Sequence, residues 1–270
     1  MSSAERKAND PAMSTIAVVG HRGTCGTFPE NTLEGFASAI EAGADMLELD
    51  VMSSSDGQIV IHHDYTITPK LHVCFDGTAI NDPPHIRSLT LAQIKGYGYK
   101  SKQATPAQIP SLLELFNLIN SMKHPNAKQI RLMIEIKKDP LQPKQTAQSL
   151  VKLVNESGLK DRIFYASFDT ETLFEVRRLS PKAEIILLFE LDRALVPDTA
   201  LQLKAKTLGP SNSLLKDRTQ VQALKQKGFK IIPWTINDPK RWAELIEMGV
   251  DGIITDYPEN LLHFLQDRSL

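Results

Sequence analysis

Glu48-Leu49-Asp50-Val51, joined through Met52 and Ser53-Ser54-Ser55-Asp56-Gly57-Gln58 to Ile59-Val60-Ile61-His62-His63-Asp64, reads as a strand, a turn and a second strand. A parallel crossover needs about a dozen residues or more, so a connection this short makes an antiparallel hairpin. The chain runs out past Asp50, turns near Asp56-Gly57 and returns, which brings His63 near the level of Glu48 and Asp50. Period-two alternation sets Glu48 and Asp50 on one face and Leu49 on the other. Two carboxylates and an imidazole thereby converge, and the hairpin reads as half of an active site.

Upstream, Ile16 to Gly20 is a continuous apolar, β-branched run, the mark of a strand buried on both faces, and it ends at His21-Arg22-Gly23. Asn31 or Thr32 is placed to cap the next helix, whose period runs through Leu33, Phe36, Ala37 and Ile40 until Gly43. The strand Asp45 to Val51 follows. Downstream of the hairpin, residues 65–108 carry Pro69, Pro83, Pro84 and Pro106, with one helical pattern at Leu91 to Lys95. So long an irregular stretch is uncommon inside a domain, and it reads as an insertion above the barrel mouth.

From Ile109 the alternation resumes. Ser111 caps a helix through Ile119, Arg131 to Ile136 is a strand, and Lys144 to Ser157 is a helix closed by Gly158. Ile163 to Ser167, Ile185 to Phe189, Thr207 to Gly209, Ile231 to Thr235 and Gly252 to Thr255 read as further strands. The helices between and after them are Thr170 to Leu179, Pro197 to Ala205, Leu214 to Lys227, Pro239 to Met248 and Glu259 to Gln266. Without the hairpin's return strand, eight strands are each followed by a helix, the pattern of a (β/α)8 TIM barrel. A doubly wound sheet is the runner-up, but the first strand lacks the G-x-G-x-x-G turn that often accompanies it.

A chain of 270 residues, 41% hydrophobic, suits one such barrel, and residues 14–270 are expected to form a single domain. Met1 to Met13 is polar, without the apolar core of a secretory signal, and is expected to be a disordered lead-in. A formal charge of -1 gives no field to steer the chain onto nucleic acid or an anionic membrane. No apolar run approaches the ~20 residues that span a bilayer. Cys25 and Cys74 are the only cysteines and are expected to be reduced, which points to a cytoplasmic location.

A barrel carries its site at the C-terminal ends of its strands. Gathered there are His21-Arg22, Glu48 and Asp50, Glu135-Ile136-Lys137, Ser167-Phe168, Trp234-Thr235-Ile236-Asn237 and Thr255-Asp256-Tyr257-Pro258, with His63 added by the hairpin. Three carboxylates, Glu48, Asp50 and Glu135, crowded together need a proton or a cation between them. An all-oxygen set selects a hard divalent ion, Mg²⁺ or Ca²⁺, over zinc. His21 and His63 can act as general base and general acid on opposite sides of a metal-bound group. Arg22 and Lys137 supply fixed charge for a phosphate, and Trp234 an apolar wall for a carbon skeleton. His62 faces away from this group, and His72, His85, His124 and His263 are expected at the surface.

The motifs resemble those of the glycerophosphodiester phosphodiesterase family. The match comprises His21-Arg22-Gly23, Pro29-Glu30-Asn31-Thr32, Glu48-Leu49-Asp50-Val51, Asp56-Gly57, His63-Asp64, Ile109-Pro110-Ser111-Leu112, Glu135-Ile136-Lys137, Ser167-Phe168, Trp234-Thr235-Ile236-Asn237 and Asp251 to Pro258, in that order along nearly the whole chain. The resemblance implies a (β/α)8 barrel with an insertion after His63-Asp64, and a divalent metal on Glu48, Asp50 and Glu135. It further implies His21 and His63 as the acid–base pair, and Arg22 and Lys137 on the phosphate of a small-molecule glycerophosphodiester cleaved to an alcohol and sn-glycerol 3-phosphate. The Arg-Thr pair common in that family after His-Asp is missing from Tyr65 to Lys70. Such an enzyme is expected as a monomer or homodimer that needs neither nucleic acid nor membrane insertion. The rival readings are cleavage of lysophospholipids in the manner of phospholipase D toxins, and a non-catalytic barrel that binds phosphodiesters. The first calls for a secretory signal and a basic or apolar face, and the second for loss of one of the five acidic and imidazole groups, all of which are intact.

Overall fold

Side chains alternate along each strand between two apolar layers, and that alternation sets the architecture. The computed structural model describes residues 16–102, 105–139, 144–191 and 196–268; the N-terminal lead-in lies outside them. Strand β1 is Ala17–Gly20, helix α1 Leu33–Ala42, β2 Met46–Ser53 and β3 Ile59–Ile61. An insertion then supplies β4 (His72–Cys74), α2 (Leu91–Ile94), β5 (Tyr97–Tyr99) and β6 (Ala107–Gln108). The alternation resumes with α3 (Leu112–Ser121), β7 (Arg131–Ile136), α4 (Gln145–Glu156), β8 (Ile163–Ser167), α5 (Thr170–Leu179) and β9 (Glu184–Phe189). It ends with α6 (Val196–Gln202), β10 (Thr207–Pro210), α7 (Arg218–Gln226), β11 (Lys230–Ile231), α8 (Pro239–Met248), β12 (Gly252–Thr255) and α9 (Pro258–Asp267).

The main sheet runs β11-β10-β9-β8-β7-β2-β1-β12 with every neighbouring pair parallel, and β3 pairs antiparallel to β2. The hairpin register, Val51 opposite Ile61 and Ser53 opposite Ile59, is the one its short turn demands. Between β11 and β12 the barrel closes through Asp251 N–H to Ile231 C=O (2.8 Å), Ile254 N–H to Pro233 C=O (3.0 Å) and Ile236 N–H to Ile254 C=O (2.9 Å). Regular pairing of the seventh barrel strand ends at Ile231, not Thr235, because Pro233 has no N–H to donate.

Val19, Met46, Met133, Ala166, Ile186, Leu188, Ile232 and Ile254 fill the barrel interior. Their strand neighbours, among them Leu47, Leu49, Val51, Leu132, Ile134 and Ile136, pack outward against the helices. Emptying one such buried Leu or Ile to Ala costs about 2–5 kcal/mol. Helix α1 is capped by the Thr32 hydroxyl accepting from Gly35 N–H, so Thr32 and not Asn31 is its cap. Helix α7 starts at Arg218 rather than Leu214, because Asp217 caps it after a separate 3-10 turn at Asn212–Leu214.

Two expectations need correction in the insertion. It is not largely irregular: β4, β5 and β6 form an antiparallel sheet over a core of Met52, Val60, Ile67, Ile86, Ile94, Tyr99, Ala107 and Ile109. Its strands are two or three residues long, too short for period-two patterning to show in sequence. His72 is 1% exposed rather than at the surface, packed against His62 and Tyr99. His124 is half-buried and caps a 3-10 turn, whereas His85 and His263 are exposed.

Candidate active site

The interior set climbs each strand in steps of two, and one step above it five strands turn polar or charged while two end in aromatic rings. Val19 leads to His21, Met46 to Glu48 and Asp50, Met133 to Glu135 and Lys137. Ala166 leads to Phe168, Leu188 to Glu190, Ile232 to Trp234 and Ile254 to Asp256. Chain alternation therefore delivers these residues to the mouth, while Arg22 and His63 arrive by the loop after β1 and by the hairpin. Asp50 and Glu135 are register partners on adjacent strands, which accounts for their contact.

Carboxylate oxygens of Glu48, Asp50 and Glu135 all lie within 4.8 Å of one another, and all three residues are buried. Burial, reinforced by the charge on Asp50, pushes the Glu48 carboxyl up to about 7 and raises that of Glu135. Burial would raise Asp50 as well, but the Lys137 ammonium and the Arg22 guanidinium hold it well below the usual carboxylate range. Lys137 Nζ sits 2.8 Å from Asp50 Oδ1 and 2.6 Å from Glu135 Oε1. Arg22 donates to Glu30 at 2.8 Å, and its Nε lies 3.2 Å from Asp50 Oδ2 without hydrogen-bond geometry. Two cations thus face three acids, and burial, with the excess negative charge added to it, raises Glu48. An all-oxygen donor set with that excess fits a hard divalent ion.

The loop after β1 adopts a demanding backbone to reach this group. Arg22 and Asn31 have left-handed φ values of 49° and 57°, a conformation that L residues adopt where surrounding contacts enforce it. Arg22 N–H donates to Glu48 Oε2 at 3.0 Å, and Asn31 Nδ2 donates to Asp50 Oδ2 at 2.9 Å. At Gly23 (φ 87°) a Cβ would meet the Gly35 carbonyl carbon at 2.7 Å, so only glycine lets this turn lie against α1.

His21 presents its two ring nitrogens to different partners. Nε2 is 4.0 Å from Glu48, and Nδ1 donates to Asp256 Oδ1 at 2.6 Å. Burial alone would lower the His21 pKa; the Asp256 hydrogen bond and the Glu48 charge outweigh it, and the net shift is upward. His63 Nδ1 lies 2.8 Å from Asp64 Oδ1. His21, Arg22, Glu48, His63, Glu135, Lys137, Phe168 and Trp234 line one cavity of about 290 Å³. Trp234 donates Nε1–H to Gly209 C=O at 2.8 Å and stacks edge-on to Phe168, so its face stays fixed on the cavity wall.

All eight residues singled out in the sequence meet here, seven of them as cavity lining and Asp50 buried behind Lys137. Sequence reasoning gathered Asp256 at a strand end without a task and offered Asn31 only as a helix cap. Asp256 was within reach, two residues beyond an inward Ile254. The contact of Asn31 with Asp50 depends on the loop's left-handed turn, which has no sequence period.

The sequence pattern of the glycerophosphoryl diester phosphodiesterase family matches residues 21–260. A glycerophosphodiester phosphodiesterase of Caldanaerobacter subterraneus subsp. tengcongensis is 33% identical over 258 residues, covering 94% of this chain and 99% of that protein. Among solved structures, an Oleispira antarctica phosphodiesterase in complex with the product sn-glycerol-3-phosphate superposes with a TM-score of 0.82 at 25% identity, over 94% of this chain and 99% of that one. A glycerophosphodiester phosphodiesterase from Parabacteroides distasonis gives a TM-score of 0.77 at 28% identity, over 95% and 99%.

Proposed function

The chain belongs to the glycerophosphoryl diester phosphodiesterase family, and from that premise we propose that His21 and His63 run the acid–base chemistry that splits a glycerophosphodiester into an alcohol and sn-glycerol 3-phosphate. The family makes it a phosphoric diester hydrolase. What supports the assignment of residues is one observation: two imidazoles, two cations and two of the three clustered carboxylates border a single cavity.

In this reading the diester lies with its non-bridging oxygens toward Arg22 and Lys137, which are positively charged before substrate arrives and need no reorganisation to oppose the charge that develops at phosphorus. One histidine takes the proton of the attacking hydroxyl, from water or from the substrate's own glycerol, and the other protonates the departing alkoxide. Asp256 holds the His21 ring by its Nδ1, so Nε2 is the nitrogen left to exchange a proton. Trp234 and Phe168 form the apolar wall for the carbon skeleton. Glu48, Asp50 and Glu135 would hold Mg²⁺ or Ca²⁺, which when bound adds positive charge beside the phosphate oxygens.

Among the described residues no helix is long and apolar enough to cross a membrane. A cytoplasmic location goes with this reading, as both cysteines are free thiols, and a monomer or homodimer is enough for a site built within one chain.

The test is turnover of glycerophosphocholine, -ethanolamine, -glycerol and -inositol beside lysophospholipid vesicles. Activity should fall on the water-soluble diesters. His21→Ala and His63→Ala should each lower kcat by roughly 10²-fold or more, and full activity in either variant refutes its role. EDTA should abolish turnover, with recovery on adding Mg²⁺ or Ca²⁺.

A further inference from the structure

The Nδ1 edge of His21 faces a second donor cluster, distinct from the carboxylates on its Nε2 edge. Cys25 Sγ donates to Asp256 Oδ1 at 2.9 Å and lies 3.6 Å from His21 Nδ1, which itself is 2.6 Å from the same oxygen. The three donor atoms lie within 4.8 Å of one another. We propose that His21 Nδ1, Cys25 Sγ and Asp256 Oδ1 form an inhibitory site for a borderline-soft divalent ion of the Zn²⁺ class.

The donor chemistry separates this site from the oxygen cluster. Imidazole and thiolate favour Zn²⁺, whereas three carboxylates favour Mg²⁺ or Ca²⁺. Bonds of 2.0–2.3 Å to a tetrahedral ion place donor pairs roughly 3.3–3.7 Å apart. The His21–Cys25 gap already has that width, and the two gaps to Asp256 are hydrogen bonds that widen by under about 1 Å once their protons leave. Asn237 Nδ2 donates to Asp256 Oδ2 at 2.6 Å, and Gly26 N–H donates to the Asp256 carbonyl at 3.1 Å. The carboxylate is thus held from behind with Oδ1 turned to the cluster, as outer partners commonly hold metal-binding acids. All three residues are only partly buried, so an ion can reach them.

Loading balances simply. The ion takes three lone pairs and the Cys25 thiol proton is released. The proton on His21 Nδ1 moves to Nε2, or is lost if the ring is an imidazolium. A metal-loaded His21 can no longer pass a proton at Nε2 in the way turnover requires. That consequence rests on the role proposed for His21; the binding itself does not.

Co²⁺ is the probe, added to full-length protein in excess Mg²⁺. Wild type should bind one equivalent with a thiolate-to-cobalt charge-transfer absorption, and Zn²⁺ under the same conditions should stop turnover. Cys25→Ser and Cys25→Ala should lose the absorption and need at least ~10²-fold more Zn²⁺ for inhibition, each measured against its own turnover in Mg²⁺ alone, with thermal midpoints confirming that at least one of them folds. Absence of the absorption in wild type, or equal Zn²⁺ sensitivity in the variants, overturns the site. Loading of wild type with turnover intact upholds the binding, overturns the inhibition and removes His21 from the acid–base pair.

Discussion

Asp256 governs where His21 keeps its proton, and this makes one carboxylate worth a pH profile. Its hydrogen bond and the Glu48 charge raise the His21 pKa against the opposing pull of burial, while His21 and Cys25, acting against burial, draw the Asp256 carboxyl down to about 2. Asp256→Asn keeps the shape and removes the charge. The pKa of His21 should fall, and the limb of the kcat/KM profile that reports it should move to lower pH, with a lower maximum because the ring is less well oriented. A profile that keeps its midpoints would show that Asp256 does not act through His21. At this scale the sequence was most readable where alternation alone sets direction: His21, Glu48, Asp50, Glu135, Lys137 and Trp234 each follow an inward apolar residue by even steps. It was least readable where loop conformation decides, as for Asn31 and Cys25, which meet their partners only after the chain has turned.

The insertion shows the same division among elements. His62, at the end of the hairpin, and His72, in the insertion, are both buried and fit together with both rings neutral. His62 Nδ1–H donates to Asp64 C=O at 2.7 Å, which leaves His62 Nε2 to accept from His72 Nε2 at 3.0 Å, while His72 Nδ1 lies 3.0 Å from Thr68 C=O and 3.2 Å from Thr68 N–H. A further proton on His62 sets its Nε2–H against the Nε2–H of His72. Burial, helped by His72, accordingly lowers His62 to about 4, and burial lowers His72 too. The folded insertion therefore binds fewer protons than the unfolded chain, so its stability is complete above about pH 6.5 and is lost as pH falls toward about 4. For His62 alone the loss is on the order of 3 kcal/mol. Glu48, shifted the opposite way, contributes the opposite slope to any global measurement. Amide hydrogen exchange at β4 and β5 isolates the effect: protection of Val73 and Gly98, corrected for intrinsic rates, should drop between pH 6.5 and 4.5 while barrel amides such as Ile134 hold. Uniform protection across that range would exclude the histidine pair as the cause. Alternation turned His62 away from the site in the sequence, but its partner was not visible there, since His72 among prolines and glycines carries no period to mark it as buried.

For the whole molecule, the (β/α)8 order was legible because it repeats: each strand–helix unit restates the same inward, outward and cap positions. The one blurred unit lies at the closing seam, where Pro233 breaks regular pairing and side chains help to join what backbone bonds only partly join. Asp251, just before β12, accepts from Ile231 N–H at 2.9 Å and from Lys225 Nζ at 3.0 Å, stitching the seventh strand to the eighth. It sits at the N-terminal end of its strand, away from the mouth that carries the chemistry. Asp251→Ala should leave the buried Ile231 N–H unpaired and lower the unfolding free energy by about 1–3 kcal/mol, read as a reduced urea midpoint. Because the defect lies across the length of the barrel from His21 and Glu48, kcat and KM on a glycerophosphodiester at low temperature should match wild type. A variant as stable as wild type would show that backbone bonds alone close the barrel, and one that loses turnover while folded would show that the two ends are mechanically coupled through β12.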